Sequence, residues 1–105
     1  MNIQQFNGTR TCYKMFQDCT SLTKSPYLPA TKPGTETYAY MFNRCSNLSE
    51  ITCLAEDLSA TNCTQGWVTD VASTGTFNKS NKNSSWTTGA NGIPTNWTIN
   101  NIYVD

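Results

Sequence analysis

Displacing the chain against itself by 26 residues brings Met15-Phe16 onto Met41-Phe42, Cys19 onto Cys45, Leu22 onto Leu48 and Leu28 onto Leu54. Five positions therefore share one register. A second displacement sets Trp67-Val68 beneath both Met-Phe pairs, Val71 beneath the two cysteines, and Cys63 beneath Thr11 and Thr37. The third copy changes the letters and keeps the apolar sites. A self-match at a period of about 20 to 50 residues marks a unit that cannot bury its apolar face alone and does so by stacking on its neighbours. The chain is expected to be a solenoid of about three coils. With 105 residues it has room for one domain: a remnant of a preceding coil over 1–10, holding Ile3 and Phe6, repeats over 11–79, and a C-terminal cap over 80–105.

Within a copy, Tyr13, Met15, Phe16 and Cys19 stand close to the i, i+3, i+4 spacing of a helix, so one or two helical turns are predicted there and at the equivalent positions, including 62–68. The segment Leu48-Ser-Glu-Ile-Thr-Cys-Leu54 alternates instead, with Ile51 and Cys53 flanking Thr52, as a half-buried strand does. Its counterparts are Lys24-Ser-Pro-Tyr27 and Thr76-Phe-Asn-Lys79. Pro26 cannot donate to a ladder, so the first strand should be short or irregular at that point. Pro29, Pro33 and Gly34 mark the turn leading back. The fold class is thus an α/β solenoid, one strand and one short helix per 26 residues.

That unit resembles the leucine-rich repeat. The runs CYKMFQDCTSLTKSPYLPAT (12–31) and YAYMFNRCSNLSEITCLA (38–55) more closely resemble the cysteine-bearing bacterial surface form, the BspA-like family, whose units read roughly Tyr-x-x-Met-Phe-x-x-Cys-x-x-Leu. The tail from Trp67 to Thr98 is similar to the closing segment of such proteins from gut bacteria. The resemblance implies a cell-surface or secreted protein that adheres to other proteins or cells.

The residues themselves exclude several classes of function. Seven basic and seven acidic side chains cancel, so no general field favours nucleic acid or an anionic membrane. No apolar run is long enough to span a bilayer. The chain has no histidine, which removes imidazole catalysis, Ser-His-Asp triads and His-containing metal sites. Leu, Ile, Val and Phe supply only 17 residues, so the 12 aromatic side chains must carry much of the burial. The five cysteines include no Cys-x-x-Cys pair, which argues against structural zinc. Neighbouring coils bring Cys19 and Cys45 close, but with parallel side-chain directions that do not suit a disulfide, and five free thiols are expected. No metal or cofactor is called for. The carboxylates show no spacing that singles out a catalytic pair, so the chain reads as no enzyme.

A solenoid presents its strand residues as a continuous surface. Here that surface would be Lys24, Glu50, Thr52, Thr76 and Asn78, with Pro26 among them. The first function expected is a non-catalytic recognition or adhesion module binding a protein or cell-surface ligand there. The alternative is a spacer or terminal cap of a longer surface array, with no ligand of its own. Trp86 and Trp97 read as cap packing in preference to a sugar-stacking platform. The N-terminal end has no evident cover, which suggests self-association through it.

Overall fold

The computed structural model describes residues 9–103, so Ile3 and Phe6, read as part of a preceding coil, lie outside the described residues. Four strands, β1 (Lys24–Leu28), β2 (Glu50–Cys53), β3 (Thr76–Ser80) and β4 (Thr98–Ile102), form one parallel sheet in chain order. The first three stand where alternation placed them. Glu50 pairs with Thr76 and Ile51 with Phe77, the 26-residue period seen in sequence. The last coil is shorter, since Thr76 pairs with Thr98. The cap therefore contributes a loop and one strand.

Pro26 acts as its chemistry requires. Between Lys24, opposite Glu50, and Tyr27, opposite Thr52, strand β1 carries one residue more than its partner. This is a bulge. At the bulge the Ser25 hydroxyl accepts the Thr52 N–H at 3.0 Å, in the place of a ladder carbonyl, and donates to the Pro26 carbonyl at 2.9 Å.

The predicted helices are a correction. Among the described residues there is no helix; residues 10–19, 36–45 and 62–70 form ribbons of overlapping turns instead. Odd-numbered amides in the first two ribbons bond three residues back, as Met15 N–H to Cys12 C=O at 3.0 Å and Met41 N–H to Tyr38 C=O at 3.0 Å. Even-numbered amides bond across to the next coil: Cys12 to Thr37, Lys14 to Ala39, Phe16 to Met41, and likewise Tyr38 to Cys63 and Phe42 to Trp67. Every fourth residue has positive φ: Arg10, Lys14 and Asp18, then Glu36, Tyr40 and Arg44, then Asn62, Gly66 and Asp70. A right-handed helix keeps φ negative throughout and bonds i to i−4, so it cannot accommodate this pattern. In the turn Cys12–Met15, Lys14 is the third residue, where a type II turn requires positive φ.

Between sheet and ribbons lies a continuous core. Met41, Phe42, Cys45, Leu48, Ile51, Cys53, Trp67 and Phe77 are buried in it, with Met15, Phe16, Cys19 and Leu22 packed against it from the first coil. The equivalent residues of successive copies thus form inner columns, as the repeat implied. Phe16 stacks on Phe42 at 5.9 Å, Phe42 meets Trp67 at 5.9 Å, and Trp67 stacks on Trp86 at 5.7 Å with planes 8° apart. Trp86 therefore closes the column. Trp97 is buried too, donating its indole N–H to the Ala72 carbonyl at 2.8 Å. All five cysteines are unpaired.

Candidate functional site

Strand alternation directs Ile51 and Phe77 into the core, while Ile99, in register with Phe77 on the last strand, is left 49% exposed, and two polar rows stand on the outer face of the sheet. One row is Lys24, Glu50, Thr76 and Thr98; the other is Tyr27, Thr52, Asn78 and Asn100. All five residues predicted for this face, Lys24, Glu50, Thr52, Thr76 and Asn78, are on it together. They differ in availability. Lys24 is exposed, Glu50, Thr52 and Thr76 are half-buried, and Asn78 is only 8% exposed.

Asn78 is covered because it ties the rows together. Its amide Nδ2 donates to Glu50 Oε2 at 3.2 Å and to Thr52 Oγ1 at 3.0 Å, while its Oδ1 accepts from Asn100 Nδ2 at 2.9 Å. Such cross-strand ladders stabilise a sheet. They also commit the inner polar atoms of the face to one another. What remains open to a partner lies at the margins: the Lys24 ammonium and the Tyr27 ring at one edge, Thr98 and Asn100 at the other.

Tyr27 is the residue that sequence reasoning missed. Strict alternation from Lys24 puts Pro26 outward and Tyr27 inward. The extra residue of the bulge shifts the pattern by one place, so Leu28 faces the core and Tyr27 stands 57% exposed on the outer face. Pro26 was the signal, because a proline within a paired strand is found at bulges and edges.

A second concavity, of about 330 Å³, lies beside the cap and is lined by Glu56, Asp57, Thr64, Ser85, Trp86 and Asn91 among others. Its polar groups serve the fold. The Ser59 hydroxyl and, at 2.9 Å, the Ser59 N–H both favour the charged form of Asp57 and, with Lys32 nearby, hold its carboxyl below the usual value. Asn91 accepts the Gly66 N–H at 2.7 Å through its side chain and the Thr64 hydroxyl at 2.7 Å through its carbonyl. Trp86 has one face on Trp67 and an edge contact with Phe77 at 5.0 Å. This is the packing role expected of it.

The buried thiols offer no nucleophile either. Burial pushes Cys12 and Cys63 up to about 11 and Cys53 up to about 12, and a protonated thiol is a poor nucleophile. Among the described residues no helix is long and apolar enough to cross a membrane. No family model, curated protein or solved structure matches the chain.

Proposed function

We propose that the chain is a non-catalytic recognition module that binds a protein or cell-surface ligand on the outer face of its sheet, with Tyr27 and Lys24 as the principal contacts. The observation that carries this reading is the exposed Tyr27 ring, raised on a bulge beside a strand edge that has no partner among the described residues, and next to a polar row. An aromatic ring with a hydroxyl at its tip is a frequent binding anchor, and a flat sheet built on a rigid stack costs little to order. The likeness of the Tyr-x-x-Met-Phe-x-x-Cys-x-x-Leu units to BspA-like surface repeats supports the same reading, and with it a location at the cell surface or outside the cell.

The test is binding of the full chain to panels of surface proteins and of glycans, repeated with Tyr27→Ala, Lys24→Ala and Glu50→Ala. A ligand whose affinity falls about tenfold or more on Tyr27→Ala, a loss of about 1.4 kcal/mol, fits an anchor role. A ligand that binds all three variants as tightly as the parent chain contradicts it.

A further inference from the structure

The wall formed by the turn ribbons has a direction. All ten lateral bonds between the first and second ribbons and between the second and third, at 2.7–3.0 Å, run from an N–H of the earlier coil to a C=O of the later one. The peptide unit joining Thr37 and Tyr38 shows why: its carbonyl accepts from Cys12 above and its amide donates to Cys63 below. Peptide dipoles aligned in this way add, as they do along a helix. The N-terminal edge of the wall is thus the partial negative end and offers acceptors only. The carbonyls of Thr9, Thr11, Tyr13, Met15 and Gln17 stand where those of Thr35, Thr37, Ala39, Met41 and Asn43 stand one coil later, and they receive no backbone donor among the described residues.

Side chains on this edge are matched to the same kind of neighbour. Met41, Phe42, Cys45 and Leu48 are fully buried, whereas Met15, Phe16, Cys19 and Leu22 are half-exposed, with no coil above them among the described residues. Charges alternate along the axis: Arg10 pairs with Glu36 at 3.3 Å, Asp18 with Arg44 at 2.8 Å, and the Lys14 ammonium lies 6.0 Å from the centre of the Tyr40 ring.

We propose that the N-terminal edge is a seat for one more coil of this same construction, which would place an amide at every second residue over the free carbonyls, an acidic residue over Arg10, an aromatic over Lys14 and a basic residue over Asp18. A second copy of the chain does not meet these requirements. Two N-terminal edges brought together oppose acceptor to acceptor. At the other end the cap loop already takes two of the five equivalent donors, Val68 N–H bonding to the Ala90 carbonyl and Gly66 N–H to the Asn91 side chain, so a head-to-tail copy would have to displace it. Such a coil would also bring its strand beside β1, so the proposal shares that edge with the strand-face reading but does not rest on it.

The test inserts a copy of residues 36–61 between Thr9 and Arg10, which continues the 26-residue register and sets Glu36, Tyr40 and Arg44 of the insert over Arg10, Lys14 and Asp18. A control inserts residues 10–35, which sets like charge over like. The urea midpoint is expected to rise for the first insert and to rise less, or fall, for the second. A midpoint unchanged or lowered by the first insert, or raised equally by both, overturns the proposal. Light scattering on the unaltered chain gives an independent reading: a monomer across concentrations supports it, and a dimer abolished by Met15→Lys refutes it.

Discussion

Trp67 and Trp86 are two indoles stacked face to face, and the fold treats their polar atoms differently. Trp67 is fully buried and donates its N–H to the Gly92 carbonyl at 2.8 Å; the Trp86 indole nitrogen is buried with no partner among the described residues. Replacing either by phenylalanine removes the same chemical group and leaves an aromatic ring in the column. Trp67→Phe strips a buried carbonyl of its donor, a loss of about 1–3 kcal/mol. Trp86→Phe removes a buried donor that has no acceptor, so the desolvation cost it relieves offsets part of the lost stacking area, and a net loss below about 1 kcal/mol is expected. A urea slope of about 1–3 kcal/mol per molar turns that difference into a midpoint separation of about 0.5–1 M. Equal midpoints for the two variants, or a larger loss at Trp86, would refute the reasoning that the Gly92 bond is what sets the two indoles apart. Trp67→Ala sets the scale, with about 3–5 kcal/mol expected from the void alone.

Other expectations are as direct. A Cβ at Gly75 would lie 2.4 Å from the Ser49 carbonyl oxygen and 2.8 Å from the Trp97 ring, so Gly75→Ala should cost about 1–3 kcal/mol in chemical denaturation. Asn78→Ala leaves Thr52 and Asn100 without their shared partner, and about 1 kcal/mol of lost stability is expected because that face remains near water. The folded chain holds the protons of Cys12, Cys53 and Cys63 above the ordinary value of 9.0, whereas the unfolded chain releases them near it. Between about pH 9 and pH 11 the unfolded state therefore binds fewer protons, and stability should fall as pH rises through that window. In timed alkylation of the native chain, half-exposed Cys19 should react first and the other four only with unfolding.

The strands were readable because alternation between core and solvent is the direct imprint of a sheet, and because Ile51 and Phe77 repeat at the coil period. The ribbons were not readable, and the reason lies in their residues. Turns that overlap by two place apolar residues such as Cys12, Met15, Phe16 and Cys19 at spacings of three and four, the same intervals a helix uses. The distinguishing mark is a left-handed residue every fourth place. Only the third coil spells it throughout in residues that favour that conformation, Asn62, Gly66 and Asp70; the first two coils have Asp18 alone of that kind, beside Arg10, Lys14, Glu36, Tyr40 and Arg44. Their backbone cost of about 1–2 kcal/mol each is offset by lateral bonds that no single-coil reading contains. The polar face of the sheet was legible in outline, and Tyr27 escaped because one bulge reverses every later position on its strand.

The central claim is that these ribbons bond from coil to coil and not along a helix. Scalar couplings across hydrogen bonds, measured by NMR on labelled protein, read donor and acceptor directly. The account predicts couplings from the Phe16 amide to the Met41 carbonyl and from the Phe42 amide to the Trp67 carbonyl. Couplings from Phe16 to Cys12 and from Phe42 to Tyr38, the helical partners, would contradict it.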